Sequence, residues 1–262
     1  MLPNNTLQNQ VAIVTGGGTG LGRAMALEFS RLGAKLVLAS RQPEHLDPAA
    51  AEIQQRGGEV LAIPMDVRDP AQVDRMVAQA KERFGSVDIL VNNAAGNFVC
   101  KAEDLSPNGW RAVVDIVLNG SFFCSRAAGK EMIAQGRGGK ILSVLATYAW
   151  TGGPGTVHSA AAKAGVLAMT RTLAVEWAPH GIRVNAITPG ASQTEGASSA
   201  LWGNPEAARK LLERIPAGRL GHPEEIARAA SFLVSPYADY INGENLTLDG
   251  GAWLGRGFLA VQ

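Results

Sequence analysis

The chain of 262 residues is 46% hydrophobic and 18% charged, and its formal net charge is +1. This apolar content suffices for the core of one large domain, and a near-neutral chain without a basic stripe argues against a nucleic-acid partner. No apolar stretch approaches the roughly 20 residues that span a bilayer, and the first ten residues lack the pattern of a signal peptide. We therefore expect a cytoplasmic protein with no membrane or nucleic-acid partner.

Short apolar runs alternate with segments of helical period along the whole chain. The runs predict seven strands, at residues 11–15, 35–40, 60–65, 88–92, 140–144, 182–188 and 245–249. The periodic segments predict helices at residues 21–32, 70–84, 108–135, 159–178 and 223–235. Alternation of this kind indicates a parallel sheet, and continuously apolar strands are typical of sheets covered on both faces. The sequence thus predicts an α/β fold over residues 1–262: one Rossmann-type domain with a doubly wound, seven-stranded parallel sheet and helices on both faces.

A glycine-rich turn, TGGGTGLG, follows the first predicted strand and leads into a helix. Glycine permits positive φ angles and close backbone approach, so the N–H groups of such a turn can face a pyrophosphate. A strand before it and a helix after it are the setting of a dinucleotide site. We predict that Gly16, Thr19, Gly20 and Leu21 contact a dinucleotide.

The second predicted strand ends in Ser40 and Arg41, where an NAD site would usually carry an acidic residue. Arg41 can pair with a 2′-phosphate and stack on adenine, and Ser40 can donate a hydrogen bond. The sequence therefore favours NADP(H), although Arg41 could instead be a solvated loop cation. Asp66, after the third strand, could accept from the adenine amino group, and NNAAG, residues 92–96, ends the fourth strand at the same edge.

Residues 190–214 form the one long irregular stretch, with glycines at positions 190, 196 and 203. We expect a substrate lid there; a solvated loop with one helix is the alternative. The two cysteines, Cys100 and Cys124, lack metal-type spacing, so neither a metal site nor a disulfide is expected.

Taken together, these motifs resemble the short-chain dehydrogenase/reductase family. TGGGTGLG, Asp66-Val67, NNAAG, a helical lysine at position 163, Pro189-Gly190 with Thr194, and LDGG occur in the family's order. The resemblance implies that Lys163 holds the nicotinamide ribose and that Thr194 contacts the carboxamide. It also implies a homotetramer. The full predicted cofactor set is Gly16, Thr19, Gly20, Leu21, Ser40, Arg41, Asp66, Val67, Asn93, Ala94, Ala95, Lys163, Pro189, Gly190 and Thr194.

The chain departs from the family at its proton donor. Most members carry a tyrosine four residues before the lysine, which protonates a carbonyl oxygen, but here that position is Ser159. A serine hydroxyl is a far weaker acid than a phenol, whose reference pKa is about 10. The family's pattern also has a serine and a helix asparagine. Their positions are occupied here by Ala146 and Val117. Either catalysis has been lost, or the reduction needs no acid at that place.

A second set of motifs resembles the 2,4-dienoyl-CoA reductase branch: residues 94–98, 115–120, 148–152, 159–163 and 214–221. The resemblance implies catalytic roles for Tyr148, Asn97, Lys163 and Ser159, and contact of an acyl-CoA thioester with Asn97, Phe98, Tyr148 and Ser159. Asn97 and Tyr148 would donate hydrogen bonds to the thioester oxygen as a dienolate forms. A proton reaching the α-carbon from solvent would then give a 3-enoyl-CoA.

Other residues are weaker candidates. Asp115 and Asp249 could relay a proton or serve only structure, and His158 could face the site or be an ordinary buried or surface histidine. Residues proposed for an acyl slot or for CoA phosphates are Trp150, Leu201, Trp202, Arg209, Lys210 and Arg214, each of which could instead be packing or solvated charge. Two other functions stay open: an NADP-dependent carbonyl or 3-ketoacyl reductase with Tyr148 as acid, and a non-catalytic NADP-binding scaffold.

Overall fold

The seven predicted strands are all present in the computed structural model, which describes residues 1–194 and 205–254. They are β1 (Val11–Thr15), β2 (Lys35–Ser40), β3 (Val60–Pro64), β4 (Ile89–Asn92), β5 (Gly139–Val144), β6 (Ile182–Pro189) and β7 (Asn245–Leu248). They form one sheet in the order β3-β2-β1-β4-β5-β6-β7, and every neighbouring pair is parallel. The predicted seven-stranded parallel sheet is confirmed.

The helices connect these strands. They are α1 (Gly20–Arg31), α2 (Pro43–Gln55), α3 (Pro70–Phe84), α4 (Pro107–Val114), α5 (Gly120–Gln135), α6 (Tyr148–Thr151), α7 (Val157–Glu176), α8 (Pro205–Leu212) and α9 (Pro223–Val234). The single helix predicted at 108–135 is divided, because a π-helical turn, Asp115–Asn119, joins α4 to α5. Helices α2 and α6 were not predicted, and α8 lies in the stretch predicted as a lid. Helix α2 begins with Pro43 and contains Pro48. Within the described ranges, no helix is long and apolar enough to cross a membrane.

Both faces of the sheet are buried, as the continuously apolar strands predicted. In β2, Leu36 and Leu38 pack in a core with α1 and α9, whereas Val37 and Ala39 pack in a second core with α3 and α5. Since alternate side chains of a strand point to opposite faces, a strand apolar at every position requires cover on both sides.

The chain reverses direction across the sheet after β3 and continues at β4, on the other side of β1. Parallel sheets of this type bind ligands in the crevice at the carboxyl ends of the strands where the order reverses. The predicted motifs after β1, β2, β3 and β4 therefore share one edge of the sheet.

Candidate active site

A cleft of about 690 Å³ opens at this edge. Fourteen of the fifteen residues predicted to bind the cofactor line it: Gly16, Thr19, Gly20, Leu21, Ser40, Arg41, Asp66, Val67, Asn93, Ala94, Ala95, Lys163, Pro189 and Thr194. Gly190 lies outside this lining and packs against the end of β7, where an added Cβ atom would stand 2.6 Å from the Cα of Asp249.

Backbone conformation and close packing require glycine at several positions of the turn after β1. Gly16 and Gly20 have φ angles of +63° and +51°, and a Cβ atom at Gly22 would lie 2.1 Å from the carbonyl oxygen of Gly16. Thr194 covers the turn, since a Cβ atom at Gly20 would be 3.6 Å from its Cγ2. The glycines thus leave backbone N–H groups accessible next to the N-terminus of α1, which suits a pyrophosphate.

Thr15 and Asn93 join this turn to the end of β4. The Thr15 hydroxyl donates to the carbonyl of Val91 at 3.1 Å and accepts from the backbone N–H groups of Asn93 and Ala94 at 3.0 and 3.1 Å. The Asn93 amide donates to the carbonyl oxygens of Thr15 and Gly16 at 3.0 and 3.1 Å. These bonds fix the two loops that form the centre of the cleft.

One end of the cleft carries Ser40, Arg41, Gln42 and His45. Asp66 is the acidic residue of the described lining, and its carboxylate accepts from the backbone N–H and the guanidinium of Arg68. The hydrogen bonds from Arg68 lower the pKa of Asp66, with a smaller contribution from the charge of Arg41. His45 was not among the predicted cofactor residues, because α2, which carries it, was not predicted.

The other end of the cleft carries Lys163 and Tyr148. Lys163 is 7% exposed, its Nζ donates to the Val144 carbonyl, and burial lowers its pKa to about 8. The Tyr148 hydroxyl lies 3.0 Å from Oγ of the buried Ser159. The structure therefore places the phenol against the serine that occupies the family's tyrosine position.

Asn97 and Phe98 do not line the cleft with Tyr148. Both are exposed, and the Asn97 side chain makes no hydrogen bond to the residues that the structure describes. The backbone N–H of Cys100 donates to Gly155 at 3.0 Å, which ties their loop to the start of α7. Hence Tyr148 and Ser159 meet directly, whereas convergence of Asn97 with Tyr148 stays a prediction.

The weaker candidates have structural partners. The Asp115 carboxylate accepts from the Asn119 amide at 2.8 Å, and the Asp249 carboxylate accepts from the backbone N–H groups of Gly251 and Trp253 at 2.9 and 2.7 Å. Trp253 in turn packs edge-on against Trp150, with ring centroids 5.8 Å apart.

Among the cations suggested for CoA phosphates, Arg209 and Lys210 form ion pairs within one turn of α8. Leu201, Trp202 and residues 195–204 of the predicted lid lie outside the described residues. Cys124 is buried, and burial raises the pKa of its thiol to about 12.

The chain is similar to known reductases and dehydrogenases. Residues 16–252 match the family model described as enoyl-(acyl carrier protein) reductase. A Bacillus subtilis protein named as a probable 2,4-dienoyl-CoA reductase producing (2E)-enoyl-CoA is 50% identical, over 95% of this chain and 98% of its own. The rat peroxisomal 2,4-dienoyl-CoA reductase, named as producing (3E)-enoyl-CoA, is 44% identical over 95% of this chain and 85% of its own.

Two solved structures are similar as well. A Bacillus anthracis short-chain dehydrogenase has a TM-score of 0.87 and 50% identity, over 95% of this chain and 98% of that one. An Agrobacterium tumefaciens dehydrogenase with bound NADP has a TM-score of 0.89 and 39% identity, over 96% of this chain and the whole of that one. The chain belongs to the short-chain dehydrogenase/reductase family of oxidoreductases.

Proposed function

We propose that the protein is an NADPH-dependent 2,4-dienoyl-CoA reductase whose product is a 3-enoyl-CoA. The observation that carries this proposal is the contact between the Tyr148 hydroxyl and Ser159, 3.0 Å apart. This contact supports a role for a phenol beside the nicotinamide, although the family's tyrosine position holds serine. The names of the Bacillus subtilis and rat relatives support the same substrate class.

The cleft fits a nicotinamide dinucleotide. The side-chain-free turn at Gly16, Gly20 and Gly22 leaves backbone N–H groups for the pyrophosphate, and Arg41 with Ser40 suits a 2′-phosphate. The Lys163 ammonium would hold the ribose hydroxyls. When bound, the reduced cofactor supplies hydride.

Tyr148 serves the substrate oxygen in this mechanism. If Ser159 donates to the phenolic oxygen, the Tyr148 proton is free to donate to the thioester oxygen. Reduction at the far end of a conjugated diene delocalises negative charge onto that oxygen, so a hydrogen bond there stabilises the dienolate without transferring a proton. Asn97 would supply a second donor once its loop closes on the thioester. With Tyr148, Ser159 and Asn97 in these roles, the reaction would proceed without the family's usual acid.

The position of the final protonation determines the product. A dienolate protonated at the α-carbon gives a 3-enoyl thioester, and one protonated at the γ-carbon gives a 2-enoyl thioester. Tyr148 and Lys163 line this end of the cleft and Ser159 contacts Tyr148, so these groups would serve the thioester oxygen and the ribose, and the carboxylates of Asp115 and Asp249 accept hydrogen bonds from side-chain and backbone N–H groups. Solvent is then the proton source at the α-carbon.

The test compares NADPH oxidation with 2,4-hexadienoyl-CoA and with acetoacetyl-CoA as the substrate. The dienoyl reaction is also run in D₂O, and its product is analysed by mass spectrometry and NMR. We expect turnover of the dienoyl thioester alone, with deuterium at C2. Turnover of acetoacetyl-CoA alone would instead favour a ketoacyl reductase, NADPH binding without turnover would favour a scaffold, and deuterium at C4 would refute the proposed product.

A further inference from the structure

His158, the residue before Ser159, is fully buried, and its imidazole has no hydrogen-bond partner in the described part of the chain. Its side chain is 0% exposed, and neither Nδ1 nor Nε2 has a hydrogen-bond partner among the residues that the structure describes. A neutral imidazole carries one donor and one acceptor, and leaving both unpaired away from water incurs the desolvation penalty of each. Most buried polar groups are paired, so this one requires an explanation.

Phe98 covers His158. The two rings are 4.6 Å apart, centroid to centroid, and inclined by 49°. The Phe98 side chain also reaches Gly109 in the first turns of α4, where an added Cβ atom would lie 3.1 Å from its Cζ. Yet the residue is 43% exposed, so one side of a large aromatic ring remains in solvent above a buried polar group.

Hydrogen bonds hold the segment that carries Phe98 at its two ends. At one end the N–H of Ala94 donates to Thr15, and at the other the N–H of Cys100 donates to Gly155. Within the described parts of the chain, residues 95–99 make no hydrogen bond between these two points. Few bonds oppose a displacement of the ring, since local opening is easiest where hydrogen bonds and buried contacts are few.

We propose that Phe98 is a movable cover and that His158, beneath it, hydrogen-bonds the amide group nearest the sulfur in the pantetheine arm of the substrate. This inference rests on the proposed function. With Tyr148 and Ser159 at the thioester oxygen, the next polar group along the arm is that amide, two methylene groups beyond the sulfur. His158 adjoins Ser159 in α7, and a secondary amide offers an acceptor and a donor, so it can satisfy either imidazole nitrogen.

The first experiment compares three thioesters of one dienoic acid in the His158→Phe variant: the CoA thioester, the N-acetylcysteamine thioester, which keeps that amide, and the S-ethyl thioester, which lacks it. We expect KM to rise about 3- to 10-fold for the two amide-bearing substrates, the loss of one hydrogen bond, with kcat little changed and no effect on the S-ethyl thioester. His180→Phe, on an exposed site after α7, is the matched control. An equal change for all three substrates, or none, would overturn the subsite.

A second measurement tests the cover without relying on that variant. In the Phe98→Ala protein, diethyl pyrocarbonate should modify residue 158 faster than in the wild type, as read by peptide mass spectrometry, whereas Phe122→Ala, at an exposed ring of α5, should leave its modification unchanged. Equal modification in all three proteins would refute the cover. Wild-type protein that reduces no dienoyl thioester would refute the proposed function and the subsite together; normal turnover without amide-selective loss would refute the subsite alone.

Discussion

At the scale of single residues, the hydroxyl pair of Tyr148 and Ser159 is the chemical centre of the proposal. We expect Tyr148→Phe to lower kcat by about 10²- to 10³-fold, the usual loss for one donor to a developing oxyanion, while the Kd of NADPH stays constant. Ser159→Ala should lower kcat by a smaller factor than Tyr148→Phe. Because both variants remove one shared hydrogen bond, their effects should not add in the double variant.

Tyr237→Phe provides the control for this series, since that ring is 63% exposed on a short helix remote from the cleft. Steady-state kinetics with a dienoyl thioester and fluorescence titration with NADPH measure both quantities. Full activity of Tyr148→Phe, or independent effects of the two substitutions, would contradict the shared role.

Lys163 predicts a pH dependence of cofactor binding. Burial lowers its pKa from 10.5 to about 8, so the ammonium is lost as the pH rises through about 8, and the Kd of NADPH should rise there. Phosphate monoesters are already fully ionised above about pH 7, so they do not contribute to this slope. Lys163→Met should abolish the slope, whereas Lys81→Met, an exposed residue of α3, should keep it. A wild-type Kd that is constant from pH 7 to pH 9.5 would contradict the assignment.

The lowered pKa of Lys163 acts on folding stability in the direction opposite to its effect on NADPH binding. Between about pH 8 and 10.5 the unfolded chain retains a proton on Lys163 that the folded chain has released. The contribution of this residue to the free energy of unfolding therefore rises with pH across that window, even as cofactor binding weakens.

At the scale of elements, the strands and the glycine turn were predictable and two helical features were not. Strands such as β2 contain an unbroken apolar run, residues 36–39, between the polar residues Lys35 and Ser40, so the strand can be recognised in a single sequence. Helix α2 contains Pro48 beyond its first turn, and a proline inside a helix ordinarily interrupts the helical pattern. The π-helical turn at Asp115–Asn119 lies within an unbroken helical periodicity, and hydrogen-bond register is not encoded in that pattern.

The hydrogen bonds between the glycine turn and the end of β4 lead to a prediction at the scale of elements. Thr15→Val keeps the shape of the side chain but removes the hydroxyl that accepts from Asn93 and Ala94. We expect a loss of about 1–3 kcal/mol in the free energy of unfolding and weaker NADPH binding, measured by urea denaturation and titration. Thr172→Val, at an exposed position of α7, should change stability by less than about 0.5 kcal/mol. Equal stability of the two variants would show that the hydroxyl is dispensable.

At the scale of the whole molecule, the sheet order assembles a site from residues far apart in the chain. Gly16, Arg41, Asp66 and Lys163 reach one cleft because the strands before them end at one edge, and this followed from the predicted parallel topology. The contacts of individual side chains could not be predicted from the parallel topology. Two examples are the His158 nitrogens, which have no hydrogen-bond partner among the described residues, and the edge-on contact of Trp150 with Trp253. Both depend on side chains that no local sequence pattern relates.

Cofactor preference can be read from the stability of the whole protein, because a ligand that binds only the native state stabilises all of it. At about 100 times its Kd, NADPH should add about 2.7 kcal/mol, which for a chain of this size raises Tm by roughly 5 to 10 °C. NADH at the same concentration should raise it less, since the 2′-phosphate that Arg41 and Ser40 can bind is missing. Differential scanning fluorimetry measures both shifts.

Arg41→Ala tests the origin of this difference. Removing one charge-assisted hydrogen bond to the phosphate should weaken NADPH binding about 10- to 100-fold and bring its Tm shift close to that of NADH. Arg56→Ala, which removes an exposed cation paired with Glu52 at the far end of α2, should leave the gap between the cofactors intact, because its charge lies outside the cleft lining. Equal shifts for both cofactors in the wild type, or an unchanged gap in Arg41→Ala, would exclude Arg41 as the residue that selects NADPH.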